Sequence, residues 1–582
     1  MKSIGRDNAR DAGTAGPDPK TILGLTLLGI LIVIIAVINF GLWVSVSITG
    51  KPGSATKNPI RNTFEVFTGN LQWTLTATLA VIGLALVITL LFIYGLRIFY
   101  PKKTVARIDH ASKHLAAKRD VDSMSKDAAT AKAKKWMPEK EAIAHPGLRL
   151  GKLPGTKTGL YSTWEDLYLV IFGPRMGKTT SQVIPAIVDA PGVVLTTSNK
   201  RDIIDDTIKI TAARGEVFVF DPQGIAHGFE QEPWYFDPLD MVRQDPEKMD
   251  ANAMALADIF KTAEMGAASE GDDAFFSMGG RDIFAHLLLA AAISDRPISD
   301  VFLWVSDDND RTPIEILSEN GEWPLVTDAL EARYNTVDVT RSGLFAQAQQ
   351  MAASLGRQAA SKWVNPRPNA RRFNPDEFVR SKANTLYVLS KEGADNAAAL
   401  TTALTAAVMN AAERYGEENG GRLPIPLVAP LDEAANVVRW PELPKLYSHY
   451  GSRSIILMTI LQSYAQGVGV WGEEGMEALW SAAAILLYGG GVRDEKMLSK
   501  MEALIGEYEE WVNSVSVSPG QRSVSSSKQE KKILSVSELA ALDNNRAVVF
   551  AAKRRPLIAE MEPFWTRDYW SAEIRDSLPK EN

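Results

Sequence analysis

Three short stretches carry residue types that could do phosphate chemistry. The first is VIFGPRMGKTTS, residues 170–181. Gly177, Lys178 and Thr179 close a loop of the G-x-x-x-x-G-K-[ST] kind, in which backbone N–H groups and a helix N-terminus cradle phosphates. Lys178 would reach the β- and γ-phosphates, and Thr179 would offer a hydroxyl to Mg2+. The loop is one residue short. Phe172 stands where the pattern wants its first glycine, and the glycine is Gly173. Phenylalanine does not take positive φ easily. The turn is therefore expected to start at Gly173 with a shorter crown stiffened by Pro174, making Gly173, Pro174, Arg175, Met176, Gly177, Lys178, Thr179 and Thr180 the nucleotide-binding set.

The second stretch is PLVAPLDEAAN, residues 426–436. Asp432 and Glu433 end an apolar run. A strand-terminal Asp beside the loop can hold Mg2+, and an adjacent Glu can orient or deprotonate an attacking water. The same pair also suits an ordinary helix start, with an N-cap Asp and a first-turn Glu. Joined to Gly177-Lys178-Thr179 in one sheet, it reads as a nucleotide hydrolase. The third stretch, RSIILMTILQS (453–463), ends in Gln462, whose amide could sense a γ-phosphate through that water.

These residues need a sheet to position them. DLYLVIFG reads as a buried strand before the loop, GVVLTTSN (192–199) as a second and EVFVFDPQG (216–224) as a third, with helical segments between. That alternation predicts a parallel α/β sheet with crossover helices. Helical texture then dominates 250–380. Strand texture resumes at 383–390 and continues at 426–436, 453–463, 482–490 and 546–555. One α/β domain is thus split by an all-helical one. The Ser-rich segment 513–528 reads as a loop, too polar to pack.

Two uncharged runs, 21–50 and 66–96, are each long enough to cross a bilayer, which needs about 20 apolar residues. The alternative is a pair of buried core helices. Aromatic residues near their ends (Trp43, Trp73, Tyr94, Phe99, Tyr100) favour spans. Lys and Arg before the first run and after the second favour both termini in the cytoplasm, with a small external loop near 51–65. Residues 101–140 carry eleven Lys and Arg against five Asp and Glu. They are expected as a solvated juxtamembrane helix or linker touching anionic lipid, or else as a nucleic-acid entry surface. The chain has no cysteine, which removes disulfides and thiol chemistry, and its six histidines show no zinc-hydrolase spacing. A net charge of −7 argues against nucleic acid coating the whole surface, though not against a local channel.

Taken together, the spans, GPRMGKTTSQVIPAI, TTSNKRD, VFDPQG, the helical insertion, PLDEAANV, ILQSYAQ and GGVRDEKMLSKMEALIG resemble the type IV secretion coupling proteins, conjugative DNA-transfer ATPases of the TraG/TraD type. The loop and the DPQG form look like Gram-positive versions. The resemblance covers nearly the whole chain. It implies a RecA-like P-loop NTPase domain with an inserted all-α domain behind two transmembrane helices. It further implies a homo-hexamer at the cell membrane, bulk in the cytoplasm, using ATP and Mg2+ to move single-stranded DNA with its relaxase into a type IV secretion channel. On this basis Lys178 and Thr179 match Walker A, Asp432 and Glu433 match Walker B, and Gln462 matches the glutamine motif. Arg453 matches the region of a proposed arginine finger, with Arg493 and Arg522 as other candidates. The insertion resembles the domain thought to recognise the relaxosome. The expected divisions are a cytoplasmic tail (1–20), membrane anchor (21–100), basic linker (101–150), first ATPase part (151–250), helical insertion (251–380), second ATPase part (381–570) and tail (571–582).

Two other readings share these motifs. A ring motor for double-stranded DNA or protein would have the same loop and Asp-Glu pair. A membrane docking protein would keep the nucleotide site as structure only, against which the intact Lys178, Thr179, Asp432 and Glu433 argue.

Overall fold

The computed structural model describes residues 19–49, 56–99, 106–266, 274–393, 397–518 and 521–567, with the backbone alone for 19–30, 92–93, 95–99, 513–518 and 521–525. Residues 1–18 of the expected N-terminal tail, the expected C-terminal tail, residues 267–273 of the expected helical insertion, and residues 50–55 at the expected external loop lie outside the described residues. The chain divides into two compact units, Met1–Thr104 and Val105–Asn582.

The larger unit is built on an 11-stranded sheet. Its strands are β1 (Arg149–Lys152), β2 (Gly159–Tyr161), β3 (Tyr168–Ile171), β4 (Val194–Ser198) and β5 (Val217–Phe220). After the short parallel pair β6 (Trp234–Tyr235) and β7 (Arg371–Arg372) come β8 (Thr385–Leu389), β9 (Leu427–Leu431), β10 (Ile455–Leu461) and β11 (Ile485–Tyr488). The hairpin β12 (Glu507–Ser518) and β13 (Gln521–Lys532) precedes β14 (Arg546–Ala551) and β15 (Leu557–Glu560). The order is β2-β1-β15-β14-β11-β3-β10-β9-β4-β8-β5. From β11 to β5 all pairings are parallel. β3, β9 and β10 are buried on both faces, which is why they read as unbroken apolar runs. Pro430 sits in a central strand, a poor place for a residue with no N–H. The β4–β9 ladder pairs Val194 with Val428 and Thr197 with Leu431, and between them the Thr196 hydroxyl donates to the Pro430 carbonyl at 3.0 Å.

Between β6 and β7 the chain is helical, from Met249–Met265 to Gln358–Val364. Helix Ala274–Ile293 is apolar and long enough to cross a membrane, yet most of it is buried among the helices of this insertion. Gly279 and Gly280 let it approach helix Asp338–Met351, where a Cβ would fall 2.5 Å from Leu344 and 2.6 Å from Gln347.

Two expectations are corrected here. Residues 106–144 are not a solvated linker. Ile108, Ala111 and Leu115 recur at helical spacing and are buried, and Asp109 makes a two-pronged ion pair with buried Arg546 of β14, at 2.7 and 2.8 Å. The net positive charge masked that apolar face. The Ser-rich segment is not a loop but most of the β12–β13 hairpin, paired from Glu507–Lys532 to Ser518–Gln521. Backbone hydrogen bonds build this ribbon, so it needs no apolar core.

The smaller unit holds α1 (Pro19–Thr49), α2 (Pro59–Phe67) and α3 (Leu75–Phe99). Leu31–Thr49 is long and apolar enough to span a bilayer, and Leu75–Leu91 is a shorter apolar stretch among the described side chains. α1 packs on α3 at Gly41, where a Cβ would lie 3.0 Å from Trp73 and Val81. The nine-residue α2 was not foreseen in the expected external loop.

Candidate active site

β3, β10 and β9 are neighbours and parallel, so the loop after β3, Gln462 after β10 and Asp432-Glu433 after β9 emerge at one sheet edge. This is where ligands bind in open α/β sheets.

The short loop closes differently from expectation. Gly173 does not supply a positive φ; Arg175 (62°) and Gly177 (78°) do. Gly173 is required by contact instead. Its N–H donates to the Gly490 carbonyl at 2.8 Å, and a Cβ on it would lie 2.2 Å from the Gly491 carbonyl oxygen. Phe172 is buried beneath, where a Cβ on Gly489 would meet its ring at 2.1 Å. The Gly489–Gly491 turn after β11 therefore seats the loop, and sequence reasoning missed it. Three glycines directly after an apolar run were the available signal.

The helix after the loop starts with a widened turn, Thr179–Val183, in which the Ile184 N–H reaches back five residues to Thr179. Pro185 explains it, since it has no N–H to give the Ser181 carbonyl. Buried Arg567 reaches that carbonyl at 3.3 Å, while also binding Asp189 at 3.0 Å and the Arg149 carbonyl at 3.1 Å. No sequence pattern tied Arg567 to the loop.

At the centre, the Lys178 ammonium donates to Glu433 Oε1 and lies 3.4 Å from Asp432 Oδ1. Gln462 Nε2 donates to the same Glu433 oxygen at 2.7 Å. The Thr179 hydroxyl donates to Asp432 Oδ2 at 3.0 Å. The Thr197 hydroxyl holds the Asp432 carbonyl at 2.7 Å, a support the sequence did not announce. Glu433 adopts a left-handed conformation (φ 55°, ψ 41°), a strain of about 1–3 kcal/mol of the kind that gathers at functional sites. Both carboxylates are nearly buried. Burial pushes the Asp432 carboxyl up to about 6; Lys178 pulls it down, Glu433 pushes it up, and the Thr179 hydroxyl pulls it down again.

The donor set fits a nucleotide-bound Mg2+. Mg2+ takes one or two carboxylates plus phosphates rather than a full protein cage. Thr179 and Asp432 supply that, and no group of three or more His, Asp or Glu suited to a metal occurs among the described residues. Glu433 Oε2 is buried with no hydrogen-bond partner among the described residues, an acceptor left open at the site.

Of the other expected residues, Pro174 and Arg175 are exposed on the loop's outer side, Met176 is buried against Gly490 and Gly491, and the Thr180 hydroxyl bonds the Gly177 carbonyl at 3.2 Å. Arg453 is not brought to the site of its own chain. It precedes β10, at the opposite sheet edge from Gln462, and pairs with Glu413 at 2.6 Å and Glu417 at 2.9 Å. Arg493 is exposed just after the Gly489–Gly491 turn. The Arg522 side chain lies outside the described residues.

Residues 426–544, which contain Asp432, Glu433 and Gln462, match the family described as the TraM recognition site of TraD and TraG. The fold resembles the bacterial conjugative coupling protein TrwBdeltaN70 in its unbound monoclinic form, with a TM-score of 0.53 and 15% identity over 75% of this chain and 91% of that one. The fold is that of a conjugative coupling protein. The trigonal form of the same protein with sulphate gives 0.51 and 14% over 70% and 87%. The plasmid coupling protein TrwB in complex with ADP and Mg2+ gives 0.50 and 14% over 70% and 87%. No curated protein matches the chain. The match at 426–544 and the shared fold both agree with the expected resemblance to the type IV coupling proteins, and the α/β sheet with its helical insertion has the coupling-protein fold.

Proposed function

We propose that the chain is a membrane-anchored ATPase that drives relaxase-bound single-stranded DNA to or through a type IV secretion channel. The observation that carries this reading is the meeting of Lys178, Thr179, Asp432, Glu433 and Gln462 at one edge of a coupling-protein fold. In this reading Lys178 leaves its carboxylates for the nucleotide phosphates. That frees Glu433, held in place by Gln462, to take a proton from water. Thr179 and Asp432 would hold Mg2+, which when bound neutralises phosphate charge. The ADP and Mg2+ named for the TrwB complex support both ligands. The match to the TraM recognition site supports contact with a relaxosome through 426–544.

The apolar α1 and α3 support a two-span anchor at the cell membrane with both termini in the cytoplasm, and the helical insertion supports a separate recognition domain. A hexamer would let one subunit supply an arginine to the next. Arg493 suits that role better than Arg453, which two glutamates already neutralise.

The test is ATP turnover by the full-length protein in lipid, with and without single-stranded DNA. DNA-stimulated turnover lost in Lys178→Ala and Glu433→Gln supports the motor. Stimulation by duplex DNA or by protein alone would replace it with the related ring motors. Nucleotide binding with no turnover would replace it with a docking role.

A further inference from the structure

The short helix α2 has three faces. Asn62 and Thr63 are buried on α1: Asn62 Nδ2 donates to Asn39 Oδ1 at 3.1 Å, and Asn39 Nδ2 donates to Thr63 Oγ1 at 3.2 Å and to the Pro59 carbonyl at 3.0 Å. Arg61 and Glu65 make an ion pair at 2.7 Å on a second face. Ile60, Phe64 and Phe67 form the third, and they are 66%, 67% and 75% exposed. At about 100° per residue these three side chains fall in one narrow apolar stripe. The helix is well made, because Asn58 caps it by accepting from the Ile60 and Arg61 N–H groups and Asn62 ties it back to Thr56. Nothing in its construction explains why three large apolar side chains point away from the protein.

Its position does. Ser45 of α1 bonds Thr74 and Thr76, where α3 begins. Asn39, the anchor of α2, lies six residues further in along α1, about 9 Å at the helical rise. Trp43, between these levels, is exposed, as are Leu75 and Leu79 in the first turns of α3. The apolar stripe of α2 therefore lies level with the exposed apolar ends of both long helices, beside an aromatic of the kind that marks a membrane–water boundary.

We infer that α2 is an interfacial helix. Ile60, Phe64 and Phe67 enter the boundary between headgroups and acyl chains, while Arg61 and Glu65 stay in water. The inference rests on the reading of α1 and α3 as spans. The bilayer is the occupant these observations favour, since α2 is tethered at both ends to those helices and bonded to one of them. Amphipathic helices with this division of faces lie in the interface plane. Pinned to Asn39, α2 would fix the depth and rotation of α1.

The absence of cysteine makes a direct test simple. Single variants Phe64→Cys, Phe67→Cys, Arg61→Cys and Leu86→Cys of the full-length protein carry an environment-sensitive dye in phosphatidylcholine–phosphatidylglycerol vesicles. Quenchers are a nitroxide near the headgroup, a nitroxide near the chain end, and an aqueous ion. Dyes at 64 and 67 should be quenched several-fold more by the shallow nitroxide than by the aqueous ion, and the dye at 61 the reverse. Leu86, exposed in α3, should respond to the deep nitroxide. If Leu86 responds and positions 64 and 67 meet only the aqueous ion, the interfacial helix is wrong while the spans stand. If those positions are shielded from every quencher, protein covers them and the inference is equally wrong. If Leu86 does not respond to the deep nitroxide, the spanning reading fails and takes the inference with it.

Discussion

Gly173 and Gly491 are in backbone contact: a Cβ on Gly173 would sit 2.2 Å from the Gly491 carbonyl oxygen and 2.5 Å from its carbon. The shortened loop is therefore held from below by a second turn, so its missing residue is a matter of packing. Gly173→Ala must push the loop off that seat. Overpacking of this kind costs about 1–3 kcal/mol, and here it would also displace Lys178. Nucleotide affinity is expected to fall at least tenfold (about 1.4 kcal/mol) with every phosphate-facing side chain intact. Binding of a fluorescent ATP analogue checks it. Unchanged affinity would mean that the Gly489–Gly491 turn does not set the loop.

Lys178 and Gln462 share one oxygen of Glu433. The three should separate kinetically. Lys178→Ala removes the phosphate cation and leaves two nearly buried carboxylates without their counter-charge, so nucleotide binding should be lost and thermal stability altered together. Glu433→Gln should keep binding and lose turnover by about 10²–10⁴-fold, the usual share of a general base. Gln462→Ala should lower kcat with little effect on KM, because it touches Glu433 rather than the loop. A KM effect larger than the kcat effect in Gln462→Ala would assign the glutamine to binding instead.

Asp432 carries a stability cost with a definite sign. Burial lifts its carboxyl to about 6, above the unfolded value of about 3.9. The native state therefore holds this proton more tightly than the unfolded state. The cost of ionising it is full above pH ~6, shrinks as pH falls, and vanishes below ~4. At roughly 1.4 kcal/mol per unit this is on the order of 3 kcal/mol. Asp432→Asn should make the nucleotide-free protein melt several degrees higher at pH 7.5, and the gap should close toward pH 5. The same variant should lose Mg2+-dependent nucleotide binding. A gap that widens in acid would reverse the assigned sign.

The sequence was most readable where both sheet faces are buried. β3, β9 and β10 lie within uncharged, mainly apolar runs, and the candidate site residues come shortly after them, so Lys178, Thr179, Asp432, Glu433 and Gln462 could be named from sequence. The antiparallel edge was not readable. β2 is only three residues long, and β1 and β15 are broken by Arg149, Lys152 and Glu560, so none stands out from loops. The hairpin had a signal, the Ser–Val alternation of NSVSVS, but composition outweighed periodicity. Residues 106–144 hid buried Ile108, Ala111 and Leu115 beneath a basic average. The supports of the site, Gly491, Thr197 and Arg567, lie far from it in sequence. The glycine run at 489–491 signalled a turn, but only tertiary contact shows what each of the three supports.

Arg567 offers the last test, because it joins the segment after β15 to the first turn after the loop. Pro185 leaves the Ser181 carbonyl without its helical donor, and the Arg567 guanidinium supplies one while also binding Asp189 and the Arg149 carbonyl. Arg567→Ala removes all three contacts. It should destabilise the protein by about 3–5 kcal/mol, the range for breaking a buried ion pair, and should weaken nucleotide binding through the slackened turn at Thr179. Arg567→Lys separates the two effects. A lysine can keep a charge near Asp189 but lacks the planar fork that serves two carbonyls at once. Stability should recover in this variant more fully than nucleotide affinity does. Melting temperature and nucleotide titration on the same samples give the comparison. Equal recovery of both would show that Arg567 acts on the fold alone and that the widened turn holds its shape without it.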